Sequence, residues 1–138
     1  MRGTRVALFV HVVWGTWDRL RLLVDETERR VYRSIEATCA EVGAETVALG
    51  GIEDHVHLLA RLPAALAVSD LVKRVKGASA HLATHAVAPD AFFKWQGGYA
   101  AFSVSVSQLE VVRDYIARQK EHHRAGSLIP DWEEAPQP

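Results

Sequence analysis

Cysteine is almost missing from this chain: Cys39 is the only one in 138 residues. A single thiol can build neither an internal disulfide framework nor a cysteine-based zinc finger, and its scarcity fits a reducing, cytoplasmic setting. No apolar run approaches the roughly 18 uninterrupted residues of a membrane span, so none is expected. The opening Met1-Arg2-Gly3-Thr4-Arg5 is basic. The apolar run behind it is broken by His11 and reaches Trp14 without a small-residue cleavage site, so no secretion signal is read there. Charge of one sign is also lacking. Sixteen Lys and Arg stand against 17 Asp and Glu, a net charge of −1. A uniformly basic nucleic-acid binder is excluded, and any such role must rest on local patches. There is no internal repeat, low-complexity tract or Pro/Gly/Ser-rich linker. One domain over residues 1–125 is expected, followed by a tail over 126–138 that reads as a frayed end. A chain of this size hides roughly 70% of its unfolded surface, enough for a core without staples.

What is present is ordered patterning. Arg5 to Trp17 is rich in Val, Phe and Trp and reads as a strand. Val6, Leu8, Val10, Val12 and Trp14 share one face, and Ala7, Phe9, His11 and Val13 the other. Both faces are largely apolar, so both should be covered. Asp25 to Val42 reads as a helix opened by acidic residues, with the stripe Val31, Ile35, Thr38 and Val42, and Gly43 after it. Thr46 to Gly50 and His55 to Leu62 read as strands around a hairpin turn at Gly51-Ile52-Glu53-Asp54. Ser69 is placed as the cap of a helix to about His85, striped by Val72, Val75, Ser79, Leu82 and Ala86. A loop with Pro89 and Gly97-Gly98 encloses Phe92 to Trp95 before a strand from Tyr99 to Val104. The last helix is expected from Ser107, in a capping box with Glu110, to about His123. The order is β-α-β-β-α-β plus a helix: an α+β, ferredoxin-like (RRM-like) antiparallel sheet with a C-terminal helix on its second face.

Two features can carry chemistry. In Glu53-Asp54-His55-Val56-His57-Leu58-Leu59, alternation along a strand sends His55 and His57 to one face, about 7 Å apart, a spacing that can grip one divalent metal. Alone, such a pair is as easily structural. On the last helix, Tyr115 and Gln119 are stacked one turn apart, with Gln108, Val111 and His122 extending their stripe beside the apolar anchor Leu109, Val112 and Ile116. Alone, that stripe is as easily core and solvated edge.

Together, a His-x-His strand followed by a Tyr-x-x-x-Gln helix resembles the single-tyrosine HUH transposases. These are the insertion-sequence two-hundred/six-hundred-and-five family and the related REP-associated tyrosine transposases. Five ordered blocks carry the resemblance: His11–Thr16, Asp54–Leu59, Leu71–Gly77, Trp95–Ser105 and Tyr115–His123. It implies that His55, His57 and Gln119 bind a divalent ion, Mg²⁺ or Mn²⁺, and that Tyr115 is the catalytic nucleophile toward DNA. A phenol with a pKa near 10 is a weak nucleophile unless a nearby cation polarises the scissile phosphate. His122, within two turns of Tyr115, is a candidate general base. The resemblance further implies a homodimer whose active sites are completed in trans, and a single-stranded DNA hairpin as substrate.

Residues 71–124 carry a net charge of +4, and Lys73, Arg74, Lys76, Lys94 and Arg118 are the candidate DNA-binding cations. Trp95 and Tyr99 could stack on unpaired bases or belong to the core. The function implied is a transposase that cleaves and rejoins single-stranded DNA through a 5′-phosphotyrosine. The alternatives are a domesticated REP-associated nickase/ligase of repeated hairpins, and a non-catalytic ferredoxin-like single-stranded nucleic-acid-binding module.

Overall fold

The computed structural model describes residues 3–87 and 91–133; Met1-Arg2, Pro89 in the loop and positions 134–138 of the tail lie outside the described residues. Eight principal elements follow one another: β1 (Leu8–Gly15), α1 (Asp25–Glu41), β2 (Glu45–Ile52), β3 (His55–Leu62), α2 (Val68–Leu82), β4 (Ala100–Val104), α3 (Leu109–Ala117) and α4 (Gln119–Ala125). The strands form one antiparallel sheet in the order β2-β3-β1-β4. This is the ferredoxin-like arrangement expected from the element order.

Strand alternation sorts the sheet into two faces. Val10, Val12, Trp14, Val56, Leu58 and Ala60 meet α1 and α2 through Val31, Ile35, Leu71, Val72 and Val75. On the other face Leu59 packs with Val112 and Ile116 of α3, flanked by Phe9 and Val104. The C-terminal helix therefore covers the second face, which is why β1 is apolar on both sides. The central strand is shorter than expected. It begins at Leu8 and ends at Gly15, with Thr16 making a single bridge to Trp95. The β2–β3 turn is also tighter, because pairing persists to Ile52↔His55.

Four helix details differ from expectation. No side chain caps α2, which starts at Val68 after Ala67. Its end widens into a π turn over Ala83–Val87, which changes the angular phase and buries Ala83 while leaving Ala86 exposed. The Ser107–Glu110 capping box does not form. Val106–Gln108 is a tight 3₁₀ turn, the Ser107 hydroxyl pairs with that of Ser105 at 3.1 Å, and Glu110 pairs with Arg113. The last helix is not continuous to His123 either. Arg118 (φ −111°, ψ 26°) breaks it into α3 and α4, and its N–H still donates to the Asp114 and Tyr115 carbonyls.

One glycine controls how α3 reaches the sheet. A Cβ at Gly50 would stand 2.3 Å from the carbonyl oxygen of Ile116, so only glycine lets the end of α3 rest on β2. Lys120 adds a tether, its ammonium 3.0 Å from Glu28 on α1.

Candidate functional site

The site lies between β3 and the helix pair α3–α4, on the second face of the sheet. His55 opens β3 and His57 follows two residues later; both are fully buried on that face. Each is held from behind. The Asp54 carboxylate lies 2.8 Å from His55 Nδ1 and is itself 3.3 Å from Arg19 Nη2. His11 Nε2, from β1, lies 2.8 Å from His57 Nδ1, with the two rings stacked. With both Nδ1 atoms engaged, both Nε2 atoms face the same space.

From the opposite side come Tyr115 near the end of α3 and Gln119 at the start of α4, both buried. The break at Arg118 does not part them. They converge on a group that the sequence reading left in the tail: the carboxylate of Glu133. The expected frayed end does not leave the body. Gly126 closes α4 in the left-handed conformation (φ 70°), and the chain turns back over the site. Glu133 Oε1 lies 3.2 Å from His55 Nε2, 3.3 Å from His57 Nε2 and 3.2 Å from His123 Nε2. Its Oε2 accepts from Gln119 Nε2 at 3.0 Å and from the Tyr115 hydroxyl. Ile129 N–H donates to that same phenolic oxygen at 3.1 Å, and Trp132 packs edge-on against the phenol.

The electrostatics follow from this crowding. Burial alone would raise the Glu133 carboxyl, but hydrogen bonds from His55, His57 and Tyr115 hold it well below the ordinary carboxylate range. Burial opposes charge on His55, yet Asp54 and Glu133 outweigh it and raise its pKa. Burial is the main cause that lowers His57 and His123, and it lowers His11, with the help of His57, to about 3. The Tyr115 phenol is pushed up to about 12, first by burial and then by the hydrogen bond to Glu133.

Of the expected site residues, His55, His57, Tyr115 and Gln119 are brought together within one chain. His122 stacks on the face of the phenol, 4.5 Å between ring centres, and its Nδ1 pairs with the Ser127 hydroxyl at 2.9 Å. Its ring lies along the phenol rather than at its hydroxyl. The candidate DNA-binding cations do not form one patch. Lys73 and Arg74 lie on exposed positions of α2, across the sheet from the site, with Arg74 3.6 Å from Glu41. Lys76 is half-buried and donates to the carbonyls of Gln96 and Gly98, so it fastens a loop. Lys94 sits 4.1 Å above the Trp17 ring, and Arg118 pairs with Asp114 and Glu121. Trp95 is core, its indole N–H on the Ser79 hydroxyl at 3.0 Å.

Sequence reasoning missed His11, His123 and Glu133 as site members. His11 stood out only as a polar break in an apolar strand. His123 is four residues after Gln119, and its Nε2 lies 3.1 Å from Gln119 Oε1. Glu133 carried no local signal.

The donor set suits a divalent cation. His55 Nε2, His57 Nε2 and a Glu133 oxygen lie within 4.8 Å of one another. Both histidines can present an Nε2 lone pair, because Asp54 and His11 can each accept the proton left on Nδ1. Gln119 offers its carbonyl oxygen by turning its amide over, since its nitrogen faces the carboxylate here. Two imidazole nitrogens with carboxylate and carboxamide oxygens are a donor set for a divalent cation. Among the described residues, no helix is long and apolar enough to cross a membrane.

Known proteins share this architecture. Residues 4–119 match the family model described as "Transposase IS200 like". The chain is 30% identical over 124 residues to the ISDra2 transposase TnpA of Deinococcus radiodurans, covering 86% of this chain and 88% of that protein. Its fold matches a crystal structure of a protein assigned as a transposase from D. radiodurans R1, with TM-score 0.70, 30% identity, and 86% and 95% of the two chains covered. It also matches a REP-associated tyrosine transposase solved bound to a REP hairpin, with TM-score 0.66 and 15% identity, covering 93% of this chain and 74% of that one.

Proposed function

The chain belongs to the IS200-like transposase family, and from that premise we propose that it cleaves and rejoins single-stranded DNA at hairpin-marked ends, with Tyr115 as nucleophile and His55, His57 and Gln119 as ligands of a divalent ion, Mg²⁺ or Mn²⁺. The observation that supports this most is convergence: two imidazole Nε2 atoms, one carboxamide and one phenol from separate elements meet on a single point. A non-catalytic binding fold has no use for that constellation. That the REP-associated relative was solved with a hairpin supports the choice of substrate. The reaction belongs to the cytoplasm.

The Tyr115 oxygen attacks phosphorus; the bond from phosphorus to the 3′ oxygen breaks, and that oxygen takes a proton to leave as a free 3′-hydroxyl. The phenolic proton is lost, and a 5′-phosphotyrosine remains. Rejoining is the reverse transesterification by a 3′-hydroxyl, so no external energy source is needed. His55, His57 and Gln119 would hold a divalent ion, which would supply Lewis-acid stabilisation of charge on the scissile phosphate. The chain's own contribution is positional. Asp54 and His11 orient the two imidazoles, and α3 delivers the phenol already facing them. The active form is a homodimer in which α3 and α4 are exchanged, so that contacts made here within one chain are made between two.

The test is incubation of a labelled single-stranded hairpin with Mn²⁺, resolved on a denaturing gel. A covalent protein–DNA adduct is expected, lost on addition of EDTA and absent for Tyr115→Phe. Adduct formation by Tyr115→Phe at the wild-type level would overturn the nucleophile assignment.

A further inference from the structure

Tyr115 is only 3% exposed, and its hydroxyl is fully occupied, donating to Glu133 and accepting from Ile129 N–H. Gln119, His55 and His57 are equally closed off. No DNA phosphate can reach a phenolic oxygen enclosed in this way. The groups that occupy the hydroxyl itself belong to residues 127–133, beyond the stretch that matches the family model, while His122 and His123 of α4 flank the phenol and the His55 ring. The way this segment is attached is informative. Its own backbone bonds are local, Trp132 N–H to Ile129 and Glu133 N–H to Pro130, while Ser127 N–H reaches the His122 carbonyl at the end of α4. Leu128 and Ile129 leave more than a third of their surface exposed. Apart from that hinge, where the Ser127 hydroxyl also meets His122, and from Trp132 packing against the Leu59, Val112 and Ile116 cluster, the segment is held by the site itself. Glu133 sits among the imidazoles, the phenol and the amide, Ile129 meets the phenol, and Trp132 packs on Tyr115 and His11. A strap fastened by the groups it covers is released when those groups find another anionic partner.

We infer that residues 127–133 form an autoinhibitory strap in which the Glu133 carboxylate stands in for a DNA phosphate, competing for the site until single-stranded DNA displaces it. A carboxylate and a phosphate share the needed chemistry: an anion with two or more oxygens that accepts from the Gln119 amide, the Tyr115 hydroxyl and imidazole N–H groups. The inference rests on the site assignment above, but not on Tyr115 performing the chemistry. Closure lowers apparent affinity for DNA by the fraction of molecules that are open.

Two readouts on the full-length protein in EDTA, with neither metal nor catalysis, test it. Tetranitromethane nitration of Tyr115, located by mass spectrometry, reports whether the phenol is covered. Fluorescence anisotropy with a labelled oligothymidine reports whether the site is contested. Glu133→Gln and Trp132→Ala loosen the strap by separate contacts, so misfolding of one leaves the other decisive. Both are expected to nitrate at Tyr115 about tenfold faster than the parent and to bind the oligonucleotide about tenfold more tightly. Unchanged nitration and affinity in folded variants would overturn the strap. So would weaker oligonucleotide binding by both, which would make the segment part of the DNA-binding surface. The proposed function fails by a different result, persistence of the adduct in Tyr115→Phe, so the two failures are separable.

Discussion

His11 lies beneath His57 with its Nε2 2.8 Å from the other ring's Nδ1 and 1% of its surface exposed. Burial, followed by the neighbouring His57, holds it neutral down to about pH 3. That neutrality carries a pH dependence. Below pH 6.5 the unfolded chain takes up a proton at this position and the native one does not. The stability linked to His11 is therefore complete above pH 6.5 and is lost as pH falls toward 3. In metal-free protein, the melting-temperature gap between the parent and His11→Asn should narrow from pH 7.5 to 4.5. The change corresponds to roughly 3 kcal/mol. A gap that stays constant or widens on acidification would mean that the ring is protonated in the fold. At this scale the His55–His57 pair was legible, because strand alternation alone puts both on one face. Their partners were not equally so. Asp54 adjoins His55 in the chain, whereas His11 meets His57 only through the pairing of β1 with β3.

The helix pair α3–α4 delivers phenol and amide together, and its seat on the sheet depends on a backbone without a side chain. Gly50 meets the Ile116 carbonyl where any Cβ would overlap it. Gly50→Ala should push the end of α3 off β2, at a cost of about 1–3 kcal/mol in denaturant unfolding. It should also reduce adduct formation with every site residue unchanged. Full stability together with full adduct formation would show that the seat is looser than the packing indicates. The order of elements through β4 and the covering of the second face were readable from periodicity, whereas the helix number was not, because the one expected last helix is two. Nor were the helix ends. The Ser107–Glu110 box was a valid local signal that lost to a 3₁₀ turn, and the kink at Arg118 left no trace in a pattern that continues through it.

For the whole molecule, the question is which chain's helix completes which chain's site. The structure joins Tyr115 to His55 and His57 within one chain, and the proposed homodimer makes the same contacts between chains. Co-refolded Tyr115→Phe and His57→Ala subunits, each inactive alone, should recover part of the adduct-forming activity, because one composite site then holds a wild-type pair. No recovery in verified heterodimers would assign each site to a single chain. The amino-acid sequence by itself determined the element order, the two apolar faces of β1, and that His55 and His57 share one strand face while Tyr115 and Gln119 share one helix stripe. Those properties are written in spacings of two and of three to four residues, and spacing survives without coordinates. Only the tertiary structure decided that His11 backs His57, that Lys76 is committed to loop carbonyls, and that Glu133 closes the site. These contacts join residues 14 to 78 positions apart. No local period encodes a meeting between elements that become neighbours only once the sheet is paired and the chain has turned back at Gly126.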